Sequence, residues 1–195
     1  MICALFGLDQ QIITIDNSKL EWNHESYPFS IWEADQTLSS AMKYSVNWYF
    51  DTILSSLSTE MQSNYLRLLQ YGNQSPKDTS SIFGMETSLK ISPVEQVLLL
   101  TRLYKNKLPF STDQMNAVKN SLYITSSTHG KLYGKTGTGR IDEKDTNGWF
   151  IGYVISDTNT YIFATNIQAS DYANGKTAST LTLAILSMLH LWDES

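Results

Sequence analysis

The sequence has few cysteines, histidines and basic clusters, and each shortage excludes a class of function. The lone cysteine, Cys3, rules out an internal disulfide framework and a cysteine zinc site, and we expect it to be a core residue. The 3 histidines lie far apart without metal-ligand spacing, so neither a metal nor another cofactor is expected. With a net charge of -5 and no basic stripe, nothing indicates a nucleic-acid partner.

Long apolar runs are also absent. No run approaches the ~20 residues that cross a bilayer, so the chain as written is expected to be soluble. Residues 1–9 carry no basic region ahead of their apolar residues, which makes them a poor signal peptide; they look like a helix whose beginning is missing. With 195 residues, 42% hydrophobic and 17% charged, residues 1–195 are expected to form a single domain.

The first two thirds of the chain predicts helices. Apolar spacing places a buried helix ending near Gly7 and a helical segment over 37–57 that breaks around Lys43–Ser45. Residues 10–36 are irregular and rich in aromatics, which indicates a folded loop pinned by aromatic side chains or, alternatively, a peptide-binding groove. Further helices are predicted over 60–70, from Ser92-Pro93 to about Lys105, and over 112–122.

The last third predicts strands followed by a helix. Strands are expected over 131–136, 148–156 and 160–167, with a charged, exposed loop over 140–147. A closing helix over 175–191 carries one apolar stripe, made of Leu181, Ile185, Met188 and Leu189. Helices followed by a three-strand meander and a last helix indicate an α+β fold, an antiparallel sheet with helices packed on it.

The stretch Lys131–Gly139 contains Lys135-Thr136-Gly137 and then Thr138-Gly139. A lysine ammonium beside a threonine hydroxyl on a strand edge forms an anion site, and glycines let a ligand approach the backbone. Alone, the motif is equally compatible with a basic edge-strand lysine followed by turn glycines.

Other short signals accompany this motif in a fixed order. Ser45-Val46-Asn47 lies at the helix break, Tyr71-Gly72-Asn73 at a turn, and Trp149-Phe150-Ile151-Gly152 on the strand that follows. Together with runs such as Ala4-Leu5-Phe6-Gly7-Leu8-Asp9, they cover nearly the whole chain. The sequence resembles the penicillin-recognising serine enzymes. It is more similar to the β-lactam sensor domains of the bacterial BlaR and MecR signal transducers, which act in antibiotic resistance, than to class D β-lactamases.

The resemblance implies a mechanism in which a serine opens the lactam ring and becomes acylated. Ser45 would relay a proton to the lactam nitrogen, and Lys135 and Thr136 would hold the substrate carboxylate and support that relay. Asn47, Gly137 and Thr138 would line the substrate site, with the Thr138 N–H as one half of an oxyanion hole. In the sensors the acyl group stays on, and the domain is tethered to a membrane receptor at the extracellular face.

Two departures from the family pattern are visible. The family's nucleophile and base lie in Ser-x-x-Lys, just before the Ala-Leu-Phe-Gly-Leu-Asp run, and no such motif occurs near the start of this chain. Gly84 stands where the family carries a tryptophan. Two N-terminal strands of the family are also missing, so an exposed sheet edge, reduced stability and self-association are expected. A β-lactam sensor-type domain that binds a β-lactam or a peptidoglycan-like molecule, a class D-like hydrolase and an inactive fragment all remain open.

Overall fold

The computed structural model describes residues 1–74 and 89–193. The chain divides into two compact units. One unit comprises Met1–Gln70 and Leu103–Leu122, and the other comprises Tyr71–Arg102 and Tyr123–Ser195. The α+β class expected from the sequence is confirmed, whereas the Gly84 departure lies outside the described residues.

The first unit is helical. Its core helix, Ile2–Asp9, is buried along almost its whole length, because its residues are apolar on every side. Cys3 lies in this helix and is buried, which confirms the expected core position, and burial raises the pKa of its thiol to about 11. No helix among the described residues is long and apolar enough to cross a membrane. The helices, including the one that continues from the second unit, are α1 (Ile2–Asp9), α2 (Leu38–Tyr44), α3 (Asn47–Ser55), α4 (Thr59–Leu69), α5 (Pro93–Tyr104) and α6 (Thr112–Ser121).

The predicted helix break lies between α2 and α3. A capping box between Thr37 and Ser40 starts α2, and Ser45, with a φ of 53°, ends it in the left-handed conformation. Val46 is extended and serves as the N-cap of α3. Ser45 therefore lies on the sharp turn between the two helices, and Asn47 is the first residue of α3.

The second unit is built on an antiparallel sheet in the order β1-β2-β3-β4. Its strands are β1 (Tyr123–Ser127), β2 (Gly130–Ile141), β3 (Lys144–Ile155) and β4 (Thr160–Gln168), and the helix α7 (Gly175–Met188) packs on them. Leu132, Val154, Leu186 and Trp192 form the core between sheet and helix.

Two sheet predictions were wrong. The sheet has four strands rather than three. The sequence did not predict β1 (sequence Tyr-Ile-Thr-Ser-Ser), because this strand is mostly exposed and shows no apolar alternation. The charged stretch 140–147 is not a loop: β2 and β3 run almost to its middle and are joined through Asp142 and Glu143, both with positive φ. Cross-strand pairing, which a single strand's sequence does not display, extends the hairpin.

The predicted stripe of α7 does not face the sheet. Leu181, Ile185, Met188 and Leu189 are 46–80% exposed, and the buried face consists of the small residues Gly175, Ala178 and Thr182 together with Leu186. Small residues let the helix approach the sheet closely. The exposed stripe lies next to an apolar groove of about 400 Å³, lined by Tyr161 and Phe163 of β4 and by residues of α7.

Candidate ligand-binding site

Residues 135–139 of β2, here called the lysine segment, have one paired and one open edge. β3 pairs along the whole segment, from Ile151 opposite Lys135 to Asn147 opposite Gly139. β1 pairs with β2 only from Gly130 to Tyr133, so no strand of the described ranges covers the other edge of the lysine segment. A free strand edge presents backbone donors and acceptors that a ligand can use.

The Lys135 amine is the principal charged group of the lysine segment. It is partly buried, donates to the Thr136 carbonyl oxygen at 2.8 Å, and its pKa is lowered to about 8 by burial, since removing water disfavours the ammonium. At neutral pH the amine is therefore still mostly protonated, but it releases its proton far more readily than an ordinary lysine.

Successive side chains of the lysine segment project to opposite faces of the sheet. A Cβ atom on Gly175 would lie 2.8 Å from the Thr136 Cβ atom, and the Gly175 N–H donates to Thr138 Oγ1 at 3.0 Å, so both threonines face the start of α7. The Lys135 side chain projects from the opposite face of the sheet. Lys135 and Thr136 can therefore act on one ligand only along the open edge, where Gly137 and Thr138 are exposed.

The first unit carries the other candidate residues on residues 44–47, here called the serine turn. Ser45 is half-buried and Asn47 is exposed, whereas Val46 between them is buried and anchors the turn. The Val46 N–H donates to the Ala41 carbonyl oxygen at 2.9 Å, which closes α2 and directs the chain into α3.

Two tryptophans hold the serine turn against the aromatic loop 10–36. The Trp32 indole N–H donates to the carbonyl oxygen of Tyr44 at 3.0 Å, and the Trp48 indole N–H donates to the carbonyl oxygen of Trp32 at 2.9 Å. Aromatic pinning of this loop, expected from its composition, is confirmed. The hydrogen bonds of these indoles near Ser45 are not among the sequence predictions. The sequence does indicate them indirectly, since a tryptophan lies on either side of the Ser45-Val46-Asn47 motif.

The Tyr71-Gly72-Asn73 turn has a structural role in the second unit. Asn73 forms two hydrogen bonds with the backbone of Lys90, one from its own N–H at 2.9 Å and one through its Oδ1 at 3.0 Å. Gly72 has a φ of 52°, and a Cβ atom there would lie 1.9 Å from the Lys90 carbonyl oxygen. The turn therefore fixes the start of the segment that leads into α5.

A Ser-x-x-Lys spacing does occur away from the start of the chain, at Ser40-Ala41-Met42-Lys43. In α2 the Ser40 hydroxyl accepts from the Thr37 N–H at 2.9 Å and donates to the Thr37 carbonyl oxygen at 3.2 Å. The Lys43 amine is exposed and lies 5.3 Å from the Tyr44 ring centroid. These four residues form a helix cap and a surface lysine, which does not fit an activated nucleophile.

Comparison with known proteins identifies the family. Residues 1–187 match the model of the penicillin binding protein transpeptidase domain. The chain belongs to this family.

Among the described residues, no group of three or more histidine, cysteine or acidic side chains could hold a metal ion.

Curated relatives match nearly the whole chain. The chain is 38% identical to the methicillin resistance mecR1 protein of Staphylococcus aureus over 96% of its length and 41% identical to the regulatory protein BlaR1 of Staphylococcus aureus over 94%. It spans about a third of the length of these relatives, 32% and 31%.

The similarity extends to solved structures. The C-terminal domain of the Bacillus licheniformis BlaR penicillin-receptor superposes with a TM-score of 0.92 at 35% identity, covering 98% of this chain and 78% of that one. The class D β-lactamase BAT-2 superposes with a TM-score of 0.89 at 34% identity, covering 99% and 79%. The resemblance to sensor domains and to class D β-lactamases that the motifs indicated is confirmed.

Proposed function

We propose that the chain is a β-lactam-binding domain of the sensor type, in which the lysine segment binds the carboxylate of the ligand. The observation that carries the proposal is the partly buried Lys135 amine beside an open strand edge. An ammonium held in a partly dehydrated position attracts a carboxylate more strongly than a fully solvated one does. Thr136 and Gly137 complete the edge that the carboxylate would meet.

The other site residues enter the proposal in the roles that the family suggests. Ser45 would relay a proton to the lactam nitrogen, and Asn47 would contact a polar group of the ligand. The Thr138 N–H would donate to the lactam carbonyl oxygen. Ser45 is left-handed and half-buried, and the Trp32 indole donates to the carbonyl oxygen of the residue before it, Tyr44. This supports the role, because a strained and well-fixed residue is typical of functional sites.

Binding without acylation is the activity we propose for residues 1–195. The only Ser-x-x-Lys in the sequence is the helix cap at Ser40, and Ser45 takes the position of a proton relay rather than of a nucleophile. The test is incubation with a fluorescent penicillin followed by separation under denaturing conditions. Reversible binding without a stable adduct supports the proposal, and an adduct mapped to any serine of the chain contradicts it.

A class D-like hydrolase is the second candidate function, favoured by the similarity to BAT-2. Hydrolysis by that route requires a carboxylated lysine as base, and the sequence offers no Ser-x-x-Lys near its start to supply one. Turnover of the chromogenic cephalosporin nitrocefin discriminates the two: the binding proposal predicts no turnover above buffer. An inactive fragment would show neither turnover nor saturable penicillin binding.

We further propose that a chain of this kind works as the sensing part of a membrane receptor, with the domain at the extracellular face. The support is the receptor name of the BlaR relative and the greater length of the two staphylococcal relatives. Peptidoglycan fragments, whose peptides also end in a carboxylate, are a second ligand class for the lysine segment. Competition between such a fragment and penicillin tests whether both occupy one site.

Self-association through β4 is the remaining partner proposal, with a second copy of the chain as the occupant. β4 is an edge strand without any charged residue, and the apolar groove and exposed stripe of α7 adjoin it. An uncharged edge beside apolar surface favours strand-to-strand pairing of two copies. Sedimentation from low to high micromolar concentration should show a dimer, which Ile162→Lys weakens; a monomer throughout contradicts the proposal.

A further inference from the structure

We infer that the first turn of α7 is a positioning element of the lysine segment, acting through the hydrogen bond from the Gly175 N–H to Thr138 Oγ1. The ligand-binding consequence rests on the proposed function. The hydrogen bond and the strand geometry do not depend on it.

The hydrogen bond satisfies a donor that a helix leaves open. The first N–H groups of a helix have no partner within it, and side chains or neighbouring elements must accept from them. Asn174 accepts from the Thr177 N–H at 2.9 Å, as an ordinary N-cap, whereas the Gly175 N–H is satisfied by Thr138 from a different element. The strand residue is therefore part of the cap of the helix.

Two glycines make this approach sterically feasible. A Cβ atom on Gly175 would lie 2.8 Å from Thr136 Cβ and 2.9 Å from the Gly137 carbonyl oxygen. A Cβ atom on Gly148, which pairs with Thr138 in the sheet, would lie 2.3 Å from the Asn174 carbonyl oxygen. Neither glycine has a positive φ, so both are required for space rather than for backbone conformation.

A polar tether closes the far end of the lysine segment onto the same helix. The Arg140 Nε donates to Asp145 Oδ1 at 2.6 Å, and the Asn174 Nδ2 donates to Asp145 Oδ2 at 3.2 Å. The Ala173 N–H donates to the Asp145 carbonyl oxygen at 2.7 Å. The hairpin just beyond Gly139 is thus tied to the residues immediately before α7.

The Gly175–Thr138 hydrogen bond and the contacts of Asp145 are together called the clasp here, and the clasp has a chemical consequence at Thr138. Its hydroxyl oxygen already accepts from the helix, so the hydroxyl hydrogen is left to donate to an acceptor outside the clasp. The clasp also fixes the backbone of Thr138, whose N–H is the proposed donor to the lactam carbonyl oxygen. Gly175 and Asp145 are positioning residues in this account, because they act on the ligand through Thr138.

The test compares Thr138→Val, which removes the hydroxyl, with Thr138→Ser, which keeps it, and with Thr180→Val on the exposed side of α7 as control. The readouts are hydrogen exchange of the Gly175 amide, the NMR titration midpoint of the Lys135 amine, and the Kd for benzylpenicillin. Thr138→Val should accelerate Gly175 exchange by about fivefold, the loss of one hydrogen bond. It should also move the Lys135 midpoint upward from about 8, because a loosened strand admits water.

Thr138→Ser should restore both values, and Thr180→Val should change neither. Asp145→Asn weakens only the polar tether and should move the Lys135 midpoint in the same direction by a smaller amount. This variant replaces Thr138→Val in the test if Thr138→Val does not fold. Unchanged exchange and an unchanged midpoint overturn the inference. If the wild-type chain binds no benzylpenicillin, the proposed function fails, while the exchange and midpoint readouts still decide the role of α7.

Discussion

The serine turn and the lysine segment are held in place by different physical means. At the serine turn, indole side chains donate to backbone carbonyl oxygens and a left-handed residue ends the helix. At the lysine segment, a paired strand is approached by another backbone through glycines. A turn held by side chains loses one hydrogen bond when a side chain changes, whereas closely packed backbone cannot accept even a methyl group without moving.

The largest effect is expected at the packed backbone. Gly148→Ala places a Cβ atom 2.3 Å from the Asn174 carbonyl oxygen, so strand or helix must shift. We expect the free energy of unfolding to fall by about 3 kcal/mol, the upper range of overpacking, in a denaturant titration. Gly137→Ala is the matched control, since its Cβ atom would have an ordinary 3.7 Å contact with Trp149. Equal losses in the two variants would contradict close backbone packing as the cause.

At the serine turn, a smaller loss is expected. Trp48→Phe keeps a buried aromatic ring but removes the donor to the Trp32 carbonyl oxygen, at a cost of about 1–2 kcal/mol. It should also shift the NMR signals of Ser45. Trp22→Phe is the control, because the Trp22 indole donates to Glu25 within the same loop. If both variants shift Ser45 alike, the indole of Trp48 has no special relation to the turn.

The pH dependence of stability separates the two regions further. Burial lowers the pKa of Lys135 from 10.5 to about 8, so between these values the unfolded chain binds more protons than the folded one. The free energy of unfolding therefore rises as the pH increases from about 8 to 10.5, and the destabilisation caused by the buried ammonium is greatest below pH 8. Lys135→Met should remove this rise and increase stability at pH 7. If the free energies of unfolding of the variant and the wild type changed in parallel between pH 8 and 10.5, this prediction would be contradicted.

The smallest effect is expected at Ser45 itself. Its φ of 53° favours glycine, so Ser45→Gly should change stability by only about 0.5 kcal/mol, in the stabilising direction. The same change removes the proposed proton relay without disturbing the turn. Thermal unfolding with calorimetry measures the stability, and a loss above 1 kcal/mol would show that the hydroxyl, rather than the backbone conformation, supports the turn.

The sequence predicted most helices and the site motifs, because these features are local. The capping pattern at Ser92-Pro93, the helix break around Lys43–Ser45 and the order of the motifs are all readable along the chain. The contribution of β1 and the outward stripe of α7 were not predictable, because both depend on which neighbour a strand or helix face meets. Small residues on the buried face of α7 outweighed its larger apolar stripe, since they allow closer contact with the sheet.

The same distinction applies to the candidate site. Lys135 and Thr136 were identified from their motif, but the partly buried amine, the open strand edge and the role of Gly175 are consequences of pairing between distant segments. Thr138 lies three residues after Lys135, and nothing in the sequence indicates that the N–H of Gly175, 37 residues later, donates to its hydroxyl.

The most direct test of the lysine segment is an NMR titration with benzylpenicillin at pH 7 and at pH 9.5. A protonated Lys135 is required for carboxylate binding in this account. With a pKa of about 8 in the free protein, affinity should fall by about thirtyfold at the higher pH, and the largest shifts at pH 7 should lie in residues 135–139. Equal affinity at both pH values, or shifts confined to other strands, would contradict the lysine segment as the binding site.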